Sequence, residues 1–287
     1  MGLMADVGGG AEGYEEVTLP FFHDEPQGTQ GLNAAVLRRR SARPTKRAVI
    51  YLHCMRDAFV PADLAGWYTD RGFHFYVADL RTLAGPGGPG GPGRPGQEGL
   101  GEAVGEYFAC LDAAAAHVRD ADGIETVVLC AHAAGALIAA LWCHARRARQ
   151  PADALIMTSP EFGPAGSWVA RAVAGGELSM PTRRPASLLA GAQRRLRRGL
   201  DIGCPVLVMC PSAGWDAPGG SGGLLVLRVL TGGRATMRLG AHVTWLKLEG
   251  GRPGQALPDG PDRKRFFDEL GRWLGAYLSG QVRDQLL

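Results

Sequence analysis

Lysine is almost missing from this chain: Lys46, Lys247 and Lys264 are the only three in 287 residues. Alanine, glycine, arginine and proline take its place, the mark of GC-rich coding, so the arginines are not read as a nucleic-acid signal. A net charge of +3 is too small to call for a polyanionic partner. No C-x-x-C pair occurs. The six cysteines (54, 110, 130, 143, 204 and 210) sit mostly in apolar runs, which favours reduced, buried thiols in a cytoplasmic protein over a disulfide framework or a zinc site. The first residues lack the basic region and apolar core of a secretory signal, and Asp6 stands where a myristoylation signal needs a hydroxyl. No apolar run reaches the ~20 residues of a spanning helix. The longest candidate, 127–143, is interrupted by His132 and Gly135. The glycine tracts lack a following Lys-Ser/Thr, so they are not phosphate loops, and no cofactor or metal is expected.

What is present is a long alternation of strand-like and helix-like text. "EEVTLPFF" and "LNAAVLRRR" alternate as strands, and a polar turn at "SARPTK" leads into "RAVIYLHC", an apolar run typical of a buried parallel strand. "PADLAGWYTDRG" reads as a helix stopped by Gly72, and "FHFYVADLR" as the next strand. Further helices are expected around 99–120, 135–149 and 261–278, and strands at 126–130, 153–158, 205–210 and 242–248. Such alternation predicts a three-layer α/β fold around a mostly parallel sheet. Residues 1–13 are Gly-rich and expected to be disordered, with one domain over 14–280. "AGPGGPGGPGRPG" (84–96) is too short for a triple helix and is expected to be a flexible loop at the ligand-binding edge of the sheet. A helical cap segment is expected over about 161–199, including a basic solvated stretch at 183–200.

"RAVIYLHC", "GFHFYVADLR", "IETVVLCAHAAG", "CPVLVMC" and "HVTWLKLEGG" follow one another in an order and spacing that resembles the α/β-hydrolase fold. The likeness is to its lysophospholipase-like and serine-aminopeptidase-like branch, and it covers roughly residues 14–280. The resemblance implies a serine nucleophile in G-x-S-x-G, on a sharp turn between strand and helix. The matching positions are Ala131-His132-Ala133-Ala134-Gly135, so Ala133 stands where the nucleophile would be. It also implies a histidine in the loop after the last strand. That loop reads "RPGQALPDGPD", and all seven histidines lie at or before His242. The expected acid follows "CPVLVMC", where Asp216 is available, while Arg228 occupies the place of a further aspartate found in relatives. Loss of a serine nucleophile alone costs on the order of 10⁶ in turnover in a well-studied protease.

Backbone donors survive such replacements. The resemblance places one oxyanion-hole N–H at Ala134 and the other at Cys54 or Met55, after His53. Candidate acids and bases are Asp57, Glu161 and Asp216, the last beside Trp215. Each has a plainer reading: Asp57 as a cap or turn residue, Glu161 as a solvated loop carboxylate, Asp216 as a turn former. In relatives a histidine placed like His132 packs beneath the turn and bonds the backbone. Three functions stay open. The first is a non-hydrolytic enzyme of bacterial natural-product biosynthesis, acting on a mostly apolar carbonyl compound through an enolate or polarised carbonyl. The second is a non-catalytic ligand- or partner-binding pseudohydrolase. The third is a residual hydrolase with an unconventional nucleophile such as Cys54.

Overall fold

The computed structural model describes residues 13–25, 28–52, 62–79, 100–160, 195, 198–211, 239–248 and 257–278. The N-terminal stretch 1–13, expected to be disordered, the loop at 84–96 and the cap segment at about 161–199 lie outside these, apart from residues 13, 195, 198 and 199.

The chain opens with β1 (Glu15–Glu25) and β2 (Gly28–Arg39), paired antiparallel from Glu15↔Arg38 to Glu25↔Gly28. Both run longer than their apolar text, because a backbone ladder continues through polar residues. Pro20, which has no N–H to give a ladder, sits in β1 at the edge of the sheet. Next come β3 (Arg47–Leu52), α1 (Ala62–Asp70) and β4 (His74–Asp79). Gly72 ends α1 as the sequence predicts. With φ +76°, it donates to the Thr69 carbonyl while Phe73 donates to that of Tyr68, both at 3.1 Å, which is the Schellman arrangement. Then follow α2 (Leu100–Ala116), β5 (Thr126–His132), α3 (Ala134–Ala145), β6 (Ala154–Thr158), β7 (Val206–Pro211), β8 (Val243–Leu248) and α4 (Pro261–Leu278).

Among the described residues eight strands form one sheet in the order β1-β2-β4-β3-β5-β6-β7-β8. Only the pairings of β2 are antiparallel; all others are parallel. This is the α/β-hydrolase fold. The central strands are apolar on both faces because both faces are covered. Ala48, Ile50 and Leu52 of β3 and Val127, Leu129 and Ala131 of β5 join one core with α2 and α3. Their neighbours Val49, Tyr51, Val128 and Cys130 join the other core with α1 and α4. In α3 every residue from Ala136 to Cys143 is buried, which explains its lack of a polar stripe. α4 begins with Pro261, whose missing N–H costs nothing at that position, and buries one stripe: Phe266, Leu270, Trp273 and Leu274.

One polar hub joins distant segments at the amino edge of the sheet. The last turn of α2 widens into a π turn (His117–Ala121) capped by Asp122. The Asp122 carboxylate takes two bonds from the Arg38 guanidinium, at 2.7 and 2.9 Å, and one from the Tyr76 hydroxyl at 2.7 Å. His117 approaches it to 3.6 Å, and Arg38 also pairs with Glu15. No described helix is long and apolar enough to cross a membrane.

Candidate active site

The site is built where β5 turns into α3. Small residues on both sides, Ala131, Ala134 and Gly135, let strand and helix cross closely. The turn residue Ala133 has φ 51° and ψ −121°, a conformation that side chains resist and glycine favours. Such strain costs about 1–3 kcal/mol and persists where the surroundings over-determine it. Here the Ala133 N–H donates to the Thr158 carbonyl of β6 at 3.1 Å, and the Ala133 carbonyl accepts from Ala136 at 3.2 Å. Two bonds in opposite directions thus pin the peptide units on each side of the strained residue. The Ala133 methyl is buried but belongs to neither core cluster.

No side chain caps α3. The first N–H groups of a helix have no acceptor within it, and the positive end of its dipole lies there. Ala134 and Gly135 therefore present backbone donors immediately after the turn, and a carbonyl oxygen is a suitable acceptor. Beneath the turn, His132 is 1% exposed and its Nδ1 lies 3.0 Å from the Thr158 hydroxyl. Thr158, which sequence reading had not singled out, thus supports the site twice: its carbonyl holds Ala133 and its hydroxyl meets His132. Thr158→Val keeps the shape and the carbonyl but removes the hydroxyl. We expect it to cost about 2 kcal/mol in urea unfolding, with Thr158→Ser costing well under half of that.

Ser159, the next residue, carries a second strained backbone beside the first, with φ 45° and its N–H bonded to the Met209 carbonyl at 2.8 Å. Sequence reading passed over it, since nothing in "MTSP" announces a positive φ at serine. The described histidines other than His132 stand elsewhere. His74 opens β4 and His242 immediately precedes β8 at the amino edge; His117 and His144 lie at helix ends; His23 lies in β1 at the sheet margin. Among the described residues, the buried thiols of Cys130 and Cys210 offer no nucleophile here: burial pushes Cys130 up to about 12 despite the Tyr68 hydroxyl, and Cys210 to about 12.

Of the residues picked out from sequence, His132, Ala133 and Ala134 come together at this turn. His53, Cys54, Met55, Asp57, Glu161, Trp215 and Asp216 lie outside the described residues. Their described neighbours Leu52, Pro160 and Pro211 stand at or just beyond strand ends on the same carboxyl edge as Ala133. No group of three or more His, Cys, Asp or Glu among the described residues could hold a metal ion.

Solved structures share this architecture at low identity. Est1E from Butyrivibrio proteoclasticus superposes with a TM-score of 0.54 at 12% identity, over 91% of this chain and 99% of its own. An esterase from Pyrococcus furiosus gives 0.58 at 11% identity, over 92% of this chain and 91% of its own. A soluble variant of monoglyceride lipase from Saccharomyces cerevisiae, in complex with a substrate analogue, gives 0.57 at 13% identity, over 91% and 95%. No curated protein sequence matches the chain. Residues 43–199, more than half of the chain, match the family described as serine aminopeptidase, S33, and the chain belongs to that family.

Proposed function

We propose that this chain is a non-hydrolytic member of its family, which binds a mostly apolar carbonyl compound above Ala133 and stabilises its enolate or polarised carbonyl. The observation that carries this reading is the turn at Ala133, with φ 51° and ψ −121° and no hydroxyl on it. The strained backbone serves to present a nucleophile and, through the next N–H, an oxyanion donor. Here the first purpose is void and the second is intact. A donor without a nucleophile can hold negative charge on oxygen but cannot form an acyl-enzyme, and that suits proton abstraction next to a carbonyl. The Ala134 N–H is one donor, and Cys54 or Met55, after His53, supplies the other. The base is one of Asp57, Glu161 and Asp216, with Trp215 contributing to the apolar wall. Carbon–carbon bond formation, cyclisation and epimerisation are all compatible with such an enolate. A role in bacterial natural-product biosynthesis fits that chemistry.

The matched structures include an esterase and a lipase. What separates this chain from ester hydrolysis is Ala133 together with the absence of any histidine after His242. Est1E has also been solved with ferulic acid bound.

The test uses 2-heptanone in deuterated buffer, following exchange of the protons beside its carbonyl by NMR. We expect saturable acceleration by the protein, and its loss in one of Asp57→Asn, Glu161→Gln and Asp216→Asn. Full exchange in all three variants would remove the acid–base assignment. Saturable binding without exchange would make the protein a binding module. In parallel, Ala133→Ser should hydrolyse p-nitrophenyl butyrate no faster than the parent. Strong hydrolysis by that variant would overturn the non-hydrolytic reading.

A further inference from the structure

A cleft of about 490 Å³ opens at the amino edge of the sheet, the edge opposite Ala133. Its lining includes Thr126, Asp153, Pro205 and His242, which start or precede the strands β5 to β8, and two cysteines, Cys143 and Cys204. Cys143 lies near the end of α3 and is 2% exposed. Cys204, just before β7, is partly exposed and packs against the core cluster to which Cys143 belongs. The two segments are clamped together next to the thiols. The Asp201 N–H donates to His144 Nδ1 at 2.9 Å, and the Arg147 guanidinium pairs with the Asp201 carboxylate at 3.3 Å. On the other side, the Pro205 carbonyl accepts from Leu155 of β6 at 2.9 Å.

We infer that Cys143 and Cys204 form a peroxide-responsive dithiol, which closes to a disulfide between α3 and the approach to β7. The reaction needs one hydroperoxide. The sulfur of Cys204, the more exposed of the two, attacks the peroxide oxygen; the O–O bond breaks, water leaves and Cys204 becomes a sulfenic acid. The Cys143 sulfur then attacks that sulfur, the S–O bond breaks, and the thiol proton leaves with the oxygen as a second water. Two thiols are oxidised by two electrons and the peroxide is reduced to two waters. The order follows from access: Cys204 is partly exposed, whereas Cys143 is 2% exposed, and the neighbouring Cys204 thiol and burial hold the Cys143 thiol well above the ordinary range. The bond would hold the far end of the helix whose first turn carries Ala134. This inference is independent of the reading of the carboxyl edge.

The experiment treats the full chain with excess hydrogen peroxide and reads intact mass and non-reduced peptides. We expect a loss of about 2 Da relative to the dithiol, a cross-linked peptide pair carrying Cys143 and Cys204, and reversal by dithiothreitol. Cys143→Ser should stop at a Cys204 sulfenic acid that dimedone traps, and Cys204→Ser should form no cross-link. The closed form should melt several degrees higher, since the link constrains a long loop of the unfolded chain. Sulfinic acid at Cys204 without a cross-link, or a disulfide between Cys204 and any other cysteine, would overturn the inference.

Discussion

Ala133→Val is expected to cost about 3 kcal/mol of stability, while Ala133→Gly is expected to add about 1 kcal/mol. The two changes probe the same backbone from opposite sides. At φ 51° and ψ −121° an alanine already carries strain. A β-branched side chain is a stronger outlier at positive φ, and two further methyls must enter a site where the present one is buried. Glycine removes the strain, roughly 1–3 kcal/mol. It gives back about 0.4–1 kcal/mol through the greater freedom of the unfolded chain. Urea melts of the three proteins check both signs. If glycine destabilised and valine were neutral, the turn would not hold the strained geometry. The same pair tests the proposed site: valine fills the space over the turn and should abolish 2-heptanone exchange, whereas glycine leaves the Ala134 donor in place.

The fold was legible because its signals are local. "RAVIYL" and "TVVLCAH" are apolar on both faces and flanked by turn residues, so buried parallel strands were the consistent reading. Gly72 marked the end of α1, and α4 runs over the expected 261–278. The turn at Ala133 was also legible, through the small residues around it. What supports the turn was not. Thr158 lies 26 residues from its register partner His132, and its role arises only once β6 pairs with β5, while Ser159 is held by the Met209 carbonyl of β7. His132 shows the same limit: the resemblance implied a backbone partner, and the structure adds the Thr158 hydroxyl. Cys143 and Cys204 line one cleft only because the loop before β7 returns to the end of α3. The acid candidates Asp57, Glu161 and Asp216 lie outside the described residues, so their roles stand as part of the proposal.

Asp122 gives the second large effect, and its sequence setting, "DADG", reads as nothing more than a turn. Its carboxylate gathers Arg38 from β2, Tyr76 from β4 and His117 from the π turn, segments that only the fold brings together. Asp122→Ala leaves a largely buried guanidinium with Glu15 as its described acidic partner on the open side, and leaves the Tyr76 hydroxyl without this acceptor. Breaking a fully buried pair costs about 3–5 kcal/mol. Solvent screening on the Glu15 side lowers that, so we expect about 2–3 kcal/mol at neutral pH. Asp122→Asn keeps an acceptor and should cost about half as much. The acid dependence has a definite sign. Burial pushes the Asp122 carboxyl up, but the Tyr76 hydroxyl and the Arg38 guanidinium together hold it below the ordinary carboxylate range. A carboxyl that is more acidic folded than unfolded contributes its full stability above the unfolded value, about 3.9. That contribution is lost as pH falls through the lower, folded value. The gap in urea midpoint between the parent and Asp122→Asn should therefore be constant from pH 7 to about pH 5 and narrow below about pH 4. Glu15, also held low by its bond to Arg38, titrates in both proteins and cancels from the difference to first order. A gap that widened on acidification would mean that the Asp122 carboxylate is destabilised by its setting, and the hub would then be held together by packing instead of charge.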